Sequence, residues 1–186
     1  DDIPTKIAGY TPKNYNLKYS GVVPANKTLS HSLNVPIIKM LQDYDMQQFH
    51  HRLQTPNLNT INKPANHYGL TIILGGAESS LWDITNVYAN FSRTLNHFEK
   101  YNGKYNLNDY HSHNYLANAS PLKEKLEDFN NISASSIYLT YKALIEVNRP
   151  ENEANWKYFS GNQKIAWKTG TSFGFRDAWA VGTTPK

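Results

Sequence analysis

The sequence predicts a mixed α/β domain of the α+β kind, with helices first and a β-hairpin last. Three observations lead there. Apolar residues recur at helical spacing in three separate stretches between residues 30 and 147. Turn-rich segments carrying Gly, Pro, Asn and Ser separate them. Residues 165–182, IAWKTGTSFGFRDAWAVG, then read as two apolar strands around a short polar turn.

Each element has its own signal. Residues 1–28 are irregular, punctuated by Pro4, Gly9, Pro12, Gly21 and Pro24. A helix is expected from about Ser30 or Ser32, with Leu33, Ile37, Met40, Leu41 and Tyr44 on one face. Residues 55–68 are again turn-rich. YGLTIILGGAESS is apolar and then broken by Gly75-Gly76. Ser80 and Asp83 have capping-box spacing ahead of a second helix. Its stripe is Leu81, Ile84, Val87, Tyr88, Phe91 and Leu95. Residues 99–120, rich in Asn, Tyr and His, read as a surface excursion. A third helix is expected from Ser133, with Ile137, Tyr141, Leu144 and Ile145 on one side, ended by Asn148 and Pro150. The hairpin closes through Ser172 to Arg176.

Composition limits the function classes. With 186 residues, 39% of them hydrophobic and 18% charged, the chain is long enough and apolar enough for one domain with a core. The net charge of +4 is scattered rather than gathered in a run, which argues against a nucleic-acid-binding tail. No apolar stretch reaches the roughly 20 residues of a membrane span. Cysteine is absent, so disulfide and thiolate chemistry are excluded. Both ends read as cut, which makes residues 1–186 a single domain truncated at each end.

Two short motifs carry chemistry. The first is Lys168-Thr169-Gly170, followed by Thr171 and Ser172. A strand alternates its side chains, so Lys168 and Gly170 share one face and Thr169 and Thr171 the other. The lysine supplies charge, the hydroxyls supply donors, and the glycine admits a close ligand. A strand edge can also hold a developing oxyanion. The second is Ser32-Leu33-Asn34, at a loop-to-helix entrance. Taken singly, each has a plainer reading: a surface lysine on a strand, and an N-cap serine. Together, S-x-N followed by K-T-G is part of the signature of serine acyl enzymes that act on D-Ala peptides and β-lactams.

SHSLNVPIIKML, YGLTIILGGAESSLWDITNVYANFSRTLNHF and WKTGTSFGFRDAWAVGTTPK resemble the transpeptidase domain of bifunctional (class A) penicillin-binding proteins, nearest the 1C type of Bacteroidetes-like bacteria. Gly75-Gly76-Ala77-Glu78 adds to the match, which is weakest over residues 99–130. The resemblance implies a partial penicillin-binding-protein or serine β-lactamase-like fold: a helical subdomain plus one hairpin of the antiparallel sheet. It implies a peptidoglycan D,D-transpeptidase that needs no cofactor. Its partners would be peptidoglycan stem peptides and β-lactam antibiotics, at the periplasmic face of the inner membrane, in a membrane-anchored parent. By the same resemblance Ser32 relays a proton, Asn34 holds the substrate amide and Lys168 raises the local positive potential. Thr169, Gly170, Thr171 and Ser172 line the substrate, with the Thr171 N–H in the oxyanion hole.

One departure stands out. The family's nucleophile lies in S-x-x-K ahead of S-x-N, and nothing before Ser32 fits. Ser120-Pro121-Leu122-Lys123 has the spacing but follows S-x-N, and Ser112-His113-Asn114 lacks the helix that should come next. Both read as coincidences, so this chain holds no nucleophile and is expected to be inactive alone. Two readings stay open beside the transpeptidase: a non-catalytic domain that binds peptidoglycan or a partner, and a β-lactamase or D,D-carboxypeptidase. His50-His51 and His111-x-His113 read as surface histidines rather than metal ligands, and most of the aromatics as core.

Overall fold

A computed structural model describes residues 1–7, 9–56, 58–114, 122–147, 163–172 and 176–184. The helices are α1 (Ala25–Ser30), α2 (Asn34–Tyr44), α3 (Met46–Gln54), α4 (Ala65–Tyr68), α5 (Leu81–Lys100) and α6 (Ala134–Ile145). A 3₁₀ helix, Gly69–Leu74, continues α4. Two antiparallel pairs complete the described architecture: β1 (Tyr105–Asn106) with β2 (Leu126–Glu127), and β3 (Ala166–Thr171) with β4 (Ala178–Thr183). The expected order, helices and then a hairpin, holds for β3 and β4, while the short β1–β2 pair departs from it by preceding α6.

α6 organises the domain. Ser133 caps it, its hydroxyl accepting from the Ser136 N–H at 3.2 Å. The Tyr105 hydroxyl accepts from the Ala134 N–H at 3.1 Å, satisfying another free amide of the first turn. Ile137 and Leu144 are buried as the periodicity predicts, and Tyr141 and Ile145 are half-buried beside them. Leu144, Val147 and Ala166 form a core that Leu29, Tyr88, Tyr141, Ile145 and Trp167 close over. α6 therefore packs against α1, α5 and β3 at once, and holds the end of α1 beside β3. The expected stop at Asn148 and Pro150 lies outside the described residues, as do the hairpin residues 173–175.

Four expectations need correction. The helix expected from Ser30 or Ser32 is α2 alone, and a separate short helix, α1, begins within the stretch read as irregular. α1 ends at Ser30, and α2 starts at Asn34 with Leu33, not Ser32, at its N-cap. The buried face of α2 is Val35, Ile38 and Leu41, whereas Met40 and Tyr44 are exposed. VPIIKML is apolar almost all round, so spacing alone could not choose between Ile37 and Ile38. Residues 55–68 are not turn throughout, for they include α4; the helix just before them, α3, was also unforeseen. Its cap is Asp45, whose side chain accepts from Gln47 N and Gln48 N at 2.8 and 3.0 Å.

The fourth correction concerns α5. Ser80 caps it as its spacing predicts, accepting from the Asp83 N–H at 3.0 Å. Its fully buried residues, however, are polar: Asn86, Asn90 and Thr94. Leu81 is exposed, and the rest of the apolar stripe is only half-buried. The polar face is covered by residues 105–111, which fold back onto it instead of standing off as a surface excursion. Arg93 Nε donates to the Asp109 carbonyl at 3.1 Å, and its Nη2 donates to Asn90 Oδ1 and the His111 carbonyl. Asp109 is 2% exposed and pairs with His97 Nδ1 at 2.5 Å. Asn90 and Thr94 find partners within α5, from Arg93 Nη2 and at the Asn90 carbonyl, and it is Arg93 and His97 that tie the returning segment to the helix.

Candidate functional site

The site begins with how α1 stops. The Ser32 N–H donates to the Leu29 carbonyl at 3.2 Å, and the Leu33 N–H to the Thr28 carbonyl at 3.0 Å. That pair of bonds is a Schellman motif, with Ser32 at the left-handed position where glycine is the usual residue. Ser32 has φ +54°. A residue with a Cβ costs roughly 1–2 kcal/mol in that conformation. A serine kept where the backbone favours glycine needs another reason, and its hydroxyl supplies one.

Lys168 Nζ donates to Ser32 Oγ at 2.6 Å and to the Thr169 carbonyl at 2.9 Å. β3 carries the lysine on the face it shares with Val181 of β4. Partial burial lowers the lysine's pKa, because desolvation penalises the ammonium form. A lysine so shifted exchanges a proton with a neighbouring hydroxyl more readily than an ordinary surface lysine does.

The open edge of β3 follows from its register. The Ser172 N–H donates to the Asp177 carbonyl at 3.0 Å, so these two residues form a hydrogen-bonded pair. Bonded and non-bonded pairs alternate along an antiparallel ladder. Thr171↔Ala178 and Thr169↔Ala180 are then non-bonded pairs, and their backbone groups turn away from β4. Among the described residues β3 pairs with β4 alone. The N–H of Thr171 therefore points away from β4, to the open edge of β3. Thr169, Gly170 and Thr171 are exposed, and a Cβ placed on Gly170 would meet nothing within 4 Å. Ser172 does something else: its hydroxyl accepts from the Asp177 N–H at 2.8 Å and pins the mouth of the hairpin.

Asn34 stands at the first position of α2. Its carboxamide nitrogen donates to the Lys13 carbonyl at 2.9 Å, which ties it to the N-terminal arm, the residues ahead of α1. Leu33 offers α2 no side-chain cap. The cap comes from Asn14, whose Oδ1 accepts from the N–H groups of Asn34 and Val35 at 2.9 and 3.3 Å. Periodicity did not mark Asn14. The one signal was a helix start with no capping residue of its own, which obliges another segment to provide one.

The other candidates separate from this group. Ser120 lies outside the described residues. In Ser112-His113-Asn114, the His113 ring meets Trp82 edge-on at 5.3 Å, at the start of α5. His50 Nε2 lies 2.8 Å from the Lys63 carbonyl. Among the described residues no group of His, Asp and Glu is arranged to hold a metal ion, and no helix is long and apolar enough to cross a membrane.

Comparison with known proteins bears on the whole arrangement. The chain is 27% identical over 185 residues to penicillin-binding protein 1C of Escherichia coli strain K12, covering 100% of this chain and 21% of that protein. It is 25% identical over 199 residues to penicillin-binding protein 1A of Neisseria cinerea, covering 100% of this chain and 23% of that protein. The chain thus spans less than a quarter of the curated relatives it matches. Its fold superposes on the crystal structure of penicillin-binding protein 1A from Haemophilus influenzae with a TM-score of 0.63, at 19% identity, over 98% of this chain and 32% of that one. No family model matches the sequence. Its homologues are penicillin-binding proteins at modest identity along its whole length, and its mixed helical and antiparallel fold is that of part of such a protein.

Proposed function

We propose that residues 1–186 form part of the transpeptidase domain of a penicillin-binding protein that builds the cell wall. The observation that carries this reading is the 2.6 Å contact between Lys168 and Ser32. A domain that only bound its ligand would have no need to hold a serine in a glycine conformation against a half-buried lysine. The substrate is a peptidoglycan stem peptide, and a β-lactam competes for the same groove. The parent is membrane-anchored and works at the periplasmic face of the inner membrane. No cofactor takes part.

In this mechanism the serine of a Ser-x-x-Lys outside residues 1–186 attacks the carbonyl of the penultimate D-Ala and gives its proton to the lysine of that motif. The carbonyl oxygen takes up negative charge, and the Thr171 N–H donates to it. As the carbon–nitrogen bond breaks, the departing D-Ala amine takes a proton from Ser32, and Lys168 restores it. Thr169 and Thr171 offer hydroxyls to the substrate carboxylate, the Asn34 carboxamide oxygen accepts from the substrate amide while its nitrogen stays on the Lys13 carbonyl, and Gly170 leaves room for the peptide. An amine from a neighbouring stem then takes the acyl group and frees the serine.

Labelling with a fluorescent penicillin tests the proposal. Residues 1–186 alone form no denaturation-resistant adduct. A longer chain that includes an upstream Ser-x-x-Lys is labelled, and changing that serine to Ala abolishes the label. An adduct on Ser32 or Ser120 of the short chain would overturn the assignment of the nucleophile.

A further inference from the structure

The carboxamide of Asn14 is 97% enclosed, since the residue is only 3% exposed, and every one of its hydrogen-bonding positions is used. Its Oδ1 accepts from the Asn34 and Val35 N–H groups at 2.9 and 3.3 Å. Its Nδ2 donates to Asp2 Oδ1 at 2.7 Å and to the Lys18 carbonyl at 2.8 Å. The other oxygen of Asp2 accepts from the Ser20 N–H at 2.9 Å, and Asp2 itself is fully buried. The network admits one orientation only. Turned over, the amide would set its NH₂ against two N–H donors and its oxygen against a carboxylate.

We propose that Asn14 is a positioning residue for the Ser32–Lys168 pair, and that Asp2 fixes the direction in which it acts. This rests on the reading of Ser32 and Asn34 as reacting and substrate-holding groups. The turn between α1 and α2 has a conflict to resolve. An ordinary helix start would place a Ser, Thr, Asp or Asn at the N-cap and turn its side chain back onto the helix. Here the serine of the turn stands one residue earlier, in the left-handed conformation, with its hydroxyl on Lys168. The capping duty has moved to Asn14, 20 and 21 residues upstream of the amides it serves. Asn34 grips the same arm through the Lys13 carbonyl. The arm therefore clamps the start of α2 from both sides, and the turn that carries Ser32 is set by that clamp. A displacement of about 1 Å at such a group costs about 10²-fold in rate.

The test uses three variants of the full-length protein: Asn14→Ala, Asn14→Asp, and Asn14→Asp combined with Asp2→Asn. The first removes the cap. The second keeps the acceptor but sets a carboxylate against Asp2. The third restores a donor facing an acceptor between the two positions, and leaves the Lys18 carbonyl without its donor. Acylation by fluorescent penicillin should slow about tenfold or more in both single variants, while thermal unfolding stays cooperative, and should recover in part in the combined variant. Amide hydrogen exchange is read beside it. Asn34 and Val35 should lose protection in Asn14→Ala while the α6 amides keep theirs. Unchanged acylation in both single variants, unchanged protection of Asn34 and Val35, or no recovery in the combined variant overturns the proposal. If Asn14→Ala does not fold, the other two variants carry the same comparison. If the unmodified protein is not labelled, the transpeptidase reading fails by itself. The exchange at Asn34 and Val35 then decides whether Asn14 sets this turn.

Discussion

Lys168 Nζ and Ser32 Oγ stand 2.6 Å apart, one on β3 and the other on the turn that ends α1. α6 packs against both elements and fixes the separation. Replacing Lys168 by Ala in the full-length protein should slow acylation by about 10²–10³, the usual loss for an electrostatic group aimed at a transition state. The melting temperature should hardly move. Equal loss of both would make Lys168 structural.

The lowered pKa of Lys168 gives a pH dependence of known sign. When the folded pKa lies below the unfolded one, the unfolded chain binds more protons between the two values. Stability therefore rises with pH across that window. The window opens at the depressed folded value and closes near the unfolded lysine value of about 10.4. Urea unfolding of the wild type and Lys168→Met over the alkaline range should show the wild type gaining on the variant as pH rises. A constant difference would mean that burial does not act on this lysine.

Ser32 should trade stability for function. Ser32→Gly relieves the left-handed strain and should stabilise the fold by about 1 kcal/mol, while Ser32→Ala keeps the strain and gains nothing. Both should lose acylation in the full-length protein. Chemical denaturation of the two variants, compared with the wild type, measures the difference. A less stable Ser32→Gly would show that the Lys168 contact outweighs the backbone term.

Two glycines of the hairpin should answer oppositely. At Gly170 a Cβ meets open space, so Gly170→Ala should leave stability unchanged or raise it by about 0.5–1 kcal/mol, as expected for a strand interior. Acylation should still fall, because the methyl group occupies the proposed substrate groove. At Gly182 a Cβ would lie 3.0 Å from Trp167 Cβ and 3.1 Å from the Ala166 carbonyl oxygen. Gly182→Ala should destabilise the fold by about 1–3 kcal/mol through overpacking. Melting curves for the pair distinguish a glycine kept open for a ligand from one kept for packing.

His97 and Asp109 form an unequal pair, with side chains 31% and 3% exposed. Removing the exposed partner leaves a buried carboxylate without its ring partner; removing the buried one leaves an imidazole within reach of water. His97→Ala should cost up to about 3 kcal/mol, and Asp109→Ala appreciably less. Equal losses in urea titrations would show that Arg93 already compensates the carboxylate.

The sequence by itself determined three of the helical stretches, two of the helix starts and the closing hairpin. Ser80 and Ser133 announce α5 and α6 because an N-cap is a local bond, closed within three residues. The alternation along β3 is local too, and so were the motifs that named Ser32, Asn34 and Lys168 as candidates. Tertiary structure decided the rest. Only packing could choose Ile38 over Ile37 as the inward residue of α2, since both are apolar. Only tertiary structure makes Asn86, Asn90 and Thr94 the buried face of α5, where Arg93 and His97 bind the returning segment at 105–111. The bond from Lys168 to Ser32 spans 136 residues, and the cap from Asn14 to Asn34 spans 20. Nothing in local spacing encodes such distances. They exist because α6 buries one face against α1 and β3 together, which places the end of one beside the edge of the other.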